Sequence, residues 1–513
     1  MIIAFDEMSG VDGAIRAQYD AVKAWLDRTP PDILAYKMNA AERVFRRLGV
    51  TFAVYSDNER GAERLIPFDI IPRVIDADEW DYLERGLTQR VRALNAFIHD
   101  VYHDREIIRA GRAPEERIVT NPAFIGEMQG LDTARNVYFH IAGVDVVRTS
   151  AKEFHVLEDN CRTPSGVSYM LENRETMMRL FPELFSALDV APINQYPDEL
   201  FVTLCEAAPA RCEGDPTVVV LTPGRFNSAY YEHAFLADEM GVELVEGQDL
   251  VVEDGVVLMR TTEGRKRVDV IYRRIDDEFL DPLAFRKDSA LGVPGIMAAY
   301  RLGNVTLVNA VGTGIADDKA IYMLVPEMIR FYLGEEPILN NVDTWDCSKP
   351  EELSHVLANL KDLVVKNVHG SGGYGMLVGP TSTKAERAEF AERLSAYPER
   401  YIAQPTLALS TCPTYVNQDV APRHVDLRPF VLTGAQTRIT PGGLTRVALR
   451  EGSLVVNSSQ GGGTKDTWIV RNGVAKNGAD GSFQTQSQSS DGSQSQSQSQ
   501  SQSRSRSGGA EAG

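Results

Sequence analysis

GVDVVRTSAKEFHVLEDNCRTPSG, residues 143–166, contains two runs rich in β-branched and apolar residues, VDVVRT and FHVLEDN, on either side of a polar turn. That pattern predicts a β-hairpin. Successive side chains of a strand point to opposite faces, so Phe154, Val156, Glu158 and Asn160 are expected on one face and Asp159 on the other. A carboxylate and an amide oxygen would then project side by side from a strand end. Asp145, on the partner strand, reaches the same space from across the ladder. An all-oxygen set of this kind suits Mg²⁺, a hard cation that keeps few protein ligands and bridges to substrate phosphates. Taken alone, Glu158 and Asn160 read more readily as polar residues that end a strand.

A second stretch, LVVKNVHGSGGYGMLVGP at 363–380, holds glycines in the spacing GxGxxG over 370–375. A dinucleotide fingerprint would need a helix straight after them, whereas Met376-Leu377-Val378 reads as a strand that Gly379-Pro380 ends. The glycines therefore predict a β-hairpin lid, whose bare backbone N–H groups can approach phosphate oxygens. No GK[ST] follows, which excludes a Walker loop, and the absence of HRD and DFG disfavours a protein kinase. A tight structural turn is the plain alternative.

Further segments point the same way. VGTGIADDKAIYMLVPEMI puts Lys319 near a helix start, 47 residues before Lys366, so two lysines can clamp one polyphosphate. IAQPTL places Gln404 at the end of a short strand, where a hinge can offer backbone groups to an adenine edge. HVDLRPFVL and GGLTRVAL supply Arg428 and Arg446, whose planar forks match phosphate or carboxylate. Each alone is an ordinary surface charge; their joint occurrence carries the argument.

The chain has 513 residues with 53 Lys and Arg against 72 Asp and Glu, a net charge of −19. An acidic body without basic runs disfavours nucleic acid as a partner. The length implies several domains with a large core, and no stretch is long and apolar enough for a membrane helix. The opening MIIAFDEMSG lacks the features of a secretion signal, so a cytoplasmic protein is expected. Five cysteines without a CxxC pair read as reduced thiols. Residues 1–125 read as mainly helical. In that region Leu83, Leu87, Val91, Leu94, Ile98 and Val101 recur at helical spacing, with Asp76 or Asp78 as cap, and His99 and His103 as packed or solvated side chains. Residues 126–195 hold the candidate metal strands. Residues 196–300 form an α/β unit whose hairpin turns at Asp254-Gly255, and 301–475 a second mixed region with helices near Lys319–Tyr332, Glu351–Leu360 and Lys384–Leu394. The Ser/Gln-rich tail, 476–513, is expected to be disordered. Deleting it should leave nucleotide affinity and melting temperature unchanged, which calorimetry and thermal denaturation can check.

Together these motifs resemble the ATP-grasp enzymes, and more closely the circularly permuted type 2 ATP-grasp family, relatives of glutathione and glutathionylspermidine synthetases. In the unpermuted order the lysines and glycine lid precede the metal strands; here Asp145, Glu158 and Asn160 come first. The likeness covers roughly 60–475, through PFDIIPRVI, GLTQRVRALNAFIHDVY, LEDNCRTPSG, VNAVGTGIADDKA, VDLRPFVL and NSSQGGGTKDTW. It implies a mixed α+β and α/β fold with a helical N-terminal region and an α/β substrate-side domain. It further implies that Lys319 and Lys366 bind ATP phosphates and that Gly370, Ser371, Gly372, Gly373 and Gly375 form the lid. Gln404 would lie in the adenine hinge, with Arg428 beside the nucleotide. Glu158, Asn160 and, less closely matched, Asp145 would hold Mg²⁺. Arg162 would steady an acyl phosphate with Arg446, and Arg274, Ser165 and Lys465 would face substrate. The family places a metal-binding Glu in the lid, where this chain has His369-Gly370.

The implied activity is ATP- and Mg²⁺-dependent joining of a carboxylate to an amine, the partners being small molecules such as an amino acid, peptide or polyamine. Activating a carboxylate through phosphoryl transfer needs positioning and charge neutralisation rather than a protein nucleophile. The sequence accordingly offers no convincing Ser/His/Asp or Cys/His arrangement. Phosphoryl transfer to a hydroxyl, or nucleotide binding without turnover, would use the same motifs.

Overall fold

The computed structural model describes residues 4–10, 12–49, 51–56, 59–370, 375–456 and 461–471. The lid residues Ser371, Gly372 and Gly373 and the tail from 476 lie outside them.

The 143–166 segment forms the expected hairpin, Ile141–Arg148 against Phe154–Asn160. Its register corrects the expectation about faces. Val146 pairs with Val156 but Asp145 pairs with Glu158, so Leu157 is an extra residue, a β-bulge. Side chains paired across a ladder share a face, and the bulge inverts the alternation. Phe154 and Val156 therefore pack into the main core with Val144 and Val146. Glu158 and Asn160 emerge on the opposite side with Asp145. Period-2 counting cannot anticipate this, because a bulge leaves no unique mark in composition.

The hairpin lies inside a ten-stranded sheet ordered Asn340–Asn341, Phe154–Asn160, Ile141–Arg148, Asp419–Arg428, Leu444–Val447, Gly463–Val470 and Phe68–Asp76, with three strands paired beside this path. Strands from both ends of the chain thus meet in one sheet. The edge strand Phe68–Asp76 runs parallel to Gly463–Val470 and belongs to a region that the sequence reads as mainly helical. The same region holds the helix Ala77–Tyr102, capped by Asp76, whose side chain accepts from the N–H of Asp78 at 2.9 Å. Its six periodic apolar residues are all buried. His99 and His103 stack on one another, and His103 faces Asp132.

A second sheet is parallel, ordered Thr306–Val308, Val270–Arg273, Val218–Leu221 and Glu243–Val245. The hairpin beside it turns at Asp254 and Gly255 with φ of 49° and 75°, the left-handed pair a two-residue turn requires. A third sheet sets Trp345–Asp346, Tyr401–Pro405, Leu363–Asn367 and Leu377–Val378 side by side. Here Val365 pairs with Leu377, so the strands on either side of the glycines run antiparallel to each other. The single helix expected over Lys319–Tyr332 is broken into Lys319–Tyr322, Val325–Met328 and the π-turn Ile329–Leu333. Pro326 lacks the N–H that a continuous helix would need there. No helix among the described residues is long and apolar enough to cross a membrane.

The N-terminal segment is tied in by charge. Glu7, fully buried, accepts from Arg73 Nε at 2.9 Å and Nη2 at 2.6 Å and from Ser410 Oγ at 2.6 Å. Burial alone would raise its carboxyl, but Arg73 and Arg148 hold it down at about 2. Glu7→Gln leaves Arg73 an uncompensated buried cation and is expected to cost about 3–5 kcal/mol in urea unfolding. Because the folded-state value is depressed, this contribution is present above pH 4.5 and fades as the pH falls towards 2.

Candidate active site

A cleft of about 510 Å³ opens between the central sheet and the Leu363–Asn367 sheet. One wall is the bulged hairpin. Asn160 Nδ2 donates to the carbonyl of Gly143 at 3.2 Å, which leaves Oδ1 as the atom this amide offers to a cation. Glu158, its side chain 27% exposed, faces Lys319 at 3.6 Å. Lys319 also donates to the carbonyl of Gly370 at 2.6 Å, so it joins the metal strand to the base of the lid. Asp318 caps the short helix that begins at Lys319, accepting from the N–H groups of Ala320 and Ile321. His369 Nδ1 approaches Asp318 Oδ2 at 2.8 Å.

Lys366 projects from the facing sheet into the same space and has no hydrogen-bond or ion-pair partner among the described residues. Burial and the nearby Lys319 lower its pKa to about 8, with Glu158 opposing. A half-buried lysine with no hydrogen bond or ion pair among the described residues, faced by Glu158 only at a distance, is an incomplete anion site. Gln404 borders the cleft too, buried, with Nε2 donating to Thr344 Oγ1 at 3.0 Å. Beyond it Pro405, Leu407, Leu409 and Leu454–Val456 make an apolar end that suits a flat ring.

The floor is a charged lattice on three strands. Arg428 grips Asp145 through Nε at 2.5 Å and Nη2 at 2.9 Å, and Arg446 Nη2 reaches Asp145 Oδ2 at 2.6 Å. Arg446 also pairs with Asp426, its direct neighbour across the ladder. Burial alone would raise the Asp145 carboxyl, but the two guanidiniums hold it well below the usual carboxylate range. Gly143 leaves room for this: a Cβ there would stand 3.3 Å from Cδ of Arg428.

The family profile described as circularly permuted ATP-grasp type 2 matches residues 72–448. The chain belongs to this family. Among its relatives are an uncharacterized Synechocystis protein, 52% identical over 91% of this chain and 97% of that one, and an uncharacterized Mycobacterium tuberculosis protein, 50% identical over 91% and 84%. A Frankia alni protein provisionally named glutamate–cysteine ligase 2-3 is 44% identical over 91% of this chain, but that covers only 54% of its own length. The apo form of a glutathione synthetase-like effector from Globodera pallida superposes with TM-score 0.53 at 10% identity, covering 86% of this chain and 98% of that one, a likeness of fold.

Within this ATP-grasp cleft stand Asp145, Glu158, Asn160, Arg162, Ser165, Lys319, Lys366, Gly370, Gln404, Arg428 and Arg446. Gly375, with φ 70°, borders a shallower neighbouring pocket beside Met376. Two expected substrate residues lie elsewhere. Lys465 is fully buried and pairs with Asp69, also donating to the carbonyl of Pro413 at 2.9 Å, so it binds neighbouring strands together. Arg274 is buried behind the cleft and donates to the carbonyl of Pro164 at 2.7 Å and to Glu232 at 3.1 Å. It braces the turn that carries Arg162 and Ser165, whose hydroxyl donates to the same Glu232 at 2.7 Å. Arg162 points towards Asp276 at 3.4 Å.

Two cleft residues escape the sequence reading. Asp317 accepts from the backbone N–H of Cys161 at 2.6 Å and of Arg162 at 3.2 Å. Burial raises its carboxyl to about 7, against those hydrogen bonds. Asp426 becomes visible only through its pairing with Arg446, although both flank motifs already noted.

Proposed function

We propose that the protein is an ATP- and Mg²⁺-dependent carboxylate–amine ligase. The observation that carries this reading is the convergence of Lys319 and Lys366 with Glu158 and Asn160 in one cleft, from three separate parts of the chain. Membership of the ATP-grasp family and the Frankia relative's name support it, the latter with less force because this chain matches only 54% of that protein.

The donors suit the metal. Glu158 and the oriented Oδ1 of Asn160 are hard oxygen ligands open to the cleft, and few such ligands are what Mg²⁺ takes when phosphates complete its shell. When bound, Mg²⁺ would neutralise the charge of the transferring phosphoryl group. Lys319 and Lys366 would hold the phosphates from two sides, and the lid glycines would offer N–H groups over them. The apolar end beside Gln404 would take the adenine. A carboxylate oxygen would take the γ-phosphoryl group as the bond to ADP breaks. The amine nitrogen would then attack the activated carbonyl carbon and lose a proton, and phosphate would leave. Arg162 and Arg446 would steady the charge that develops on the acyl phosphate. The substrates on this reading are a small carboxylate and an amine such as an amino acid, peptide or polyamine, and the enzyme acts in the cytoplasm without nucleic acid or membrane.

A screen of amino acids, short peptides and amines for ADP release with Mg-ATP, followed by the mass of the product, tests the proposal. An amide product formed with one ADP per bond is expected. A phosphorylated product with no amide would replace the ligase by a kinase, and no ADP release with any pair would count against turnover.

A further inference from the structure

We infer that Asp145 is not a metal ligand in this chain but a positioning residue, which aims Arg428 and Arg446 at the transferring phosphoryl group. The inference deepens the ATP- and metal-dependent reading above and rests on it.

Three observations lead there. Asp145 borders the cleft floor with only 1% of its side chain exposed, whereas Glu158, directly across the ladder, is 27% exposed and opens to the cleft. Both oxygens of Asp145 already accept from arginines. Oδ1 accepts from Arg428 Nε, and Oδ2 accepts from Arg428 Nη2 and Arg446 Nη2. A carboxylate engaged by two forks in this way is a rigid anchor for them. Within the lattice Asp145 and Asp426 face Arg428 and Arg446, and Glu158, across the ladder, also approaches Asp145 from the cleft side. A dication drawing on Asp145 would stand beside two guanidiniums that already grip it, like charges in a poorly solvated place. Arriving from the cleft, it meets Glu158 and Asn160 first.

The function of the anchor follows from geometry. Arg428 also donates to the carbonyl of Ser165 at 3.2 Å, and Arg446 is held by Asp426 from the other side. Both guanidiniums are thereby fixed at the cleft floor without side-chain freedom to lose when phosphate arrives, which is how preorganised charge lowers a barrier.

The test compares Mn²⁺ affinity, read by electron paramagnetic resonance with a non-hydrolysable ATP analogue bound, and steady-state kinetics. Wild-type protein must first bind Mn²⁺ with the analogue; if it binds neither, the ATP and metal reading itself falls, and this inference with it. Given that binding, Asp145→Asn is expected to leave Mn²⁺ affinity within about threefold of wild type while kcat drops by roughly a hundredfold or more and the KM for ATP changes little. Glu158→Gln should lower Mn²⁺ affinity by more than about tenfold. An equal loss of Mn²⁺ affinity in both variants would overturn the assignment. Should Asp145→Asn not fold, Arg428→Lys decides, since it keeps the positive charge but loses the two-pronged grip: a ligand held back by its arginine predicts tighter Mn²⁺ binding, whereas an anchor predicts unchanged affinity with a lower kcat.

Discussion

Lys366→Met is expected to weaken ATP binding roughly ten- to hundredfold and, in the free protein, to raise the melting temperature by a few degrees. The two effects have one cause. In the unliganded cleft Lys366 is a half-buried cation without a partner among the described residues, and burial with Lys319 nearby lowers its pKa from 10.5 to about 8. Holding it charged at neutral pH costs the fold on the order of 3 kcal/mol relative to an ordinary lysine, and methionine keeps most of the packing without the charge. When ATP binds, the same cation gains a charge-assisted contact with phosphate worth about 1.5–3 kcal/mol, which the variant forgoes. The pH dependence has a definite sign. Between about pH 8 and 10.5 the unfolded chain binds more protons than the folded one, so wild-type stability rises with pH across that window and the advantage of the variant shrinks. ATP affinity should fall over the same window, with proton uptake on binding. Calorimetry in buffers of different ionisation enthalpy measures that uptake, and its absence would show that Lys366 does not meet phosphate.

Glu158→Gln should have the largest effect on catalysis, lowering turnover at ordinary Mg²⁺ by about a thousandfold or more, in the range seen when a ligand or an electrostatic partner of the transition state is lost. Its side chain is partly exposed and its ion pair with Lys319 is long, so little stability depends on it. A shift in melting temperature of more than a few degrees would mark a structural role instead. A neutral amide at this position would also deprive Lys319 and Lys366 of the carboxylate that faces them across the cleft, so the substitution removes a metal ligand while increasing repulsion between the two lysines. Raising Mg²⁺ should recover part of the activity if the metal is what was lost; full activity without added Mg²⁺ would remove the assignment.

The motifs that the sequence displays are those in which residue type and local spacing do the chemistry. The 143–166 hairpin, the strand after the glycines, the turn at Asp254-Gly255 and the long helix capped by Asp76 are all readable because each depends on neighbours within a few positions. What stays hidden depends on partners far along the chain. The bulge at Leu157 turns Glu158 and Asn160 to the cleft while Phe154 and Val156 enter the core, and it is set by register against Ile141–Arg148. The family resemblance makes Arg274 and Lys465 substrate residues, yet burial and the carboxylates of Glu232 and Asp69 make them struts. Asp317 and Asp426 gain significance only once Cys161 and Arg446 stand beside them.

Hydrogen–deuterium exchange of the full chain with and without ADP and Mg²⁺ tests the central claim most directly. If ATP occupies this cleft, binding should slow exchange together in three separate stretches, 317–322, 363–378 and 402–407, and leave the Val218–Leu221 and Glu243–Val245 strands unchanged. Protection confined to any one of them, or appearing only in the parallel sheet, would contradict the account.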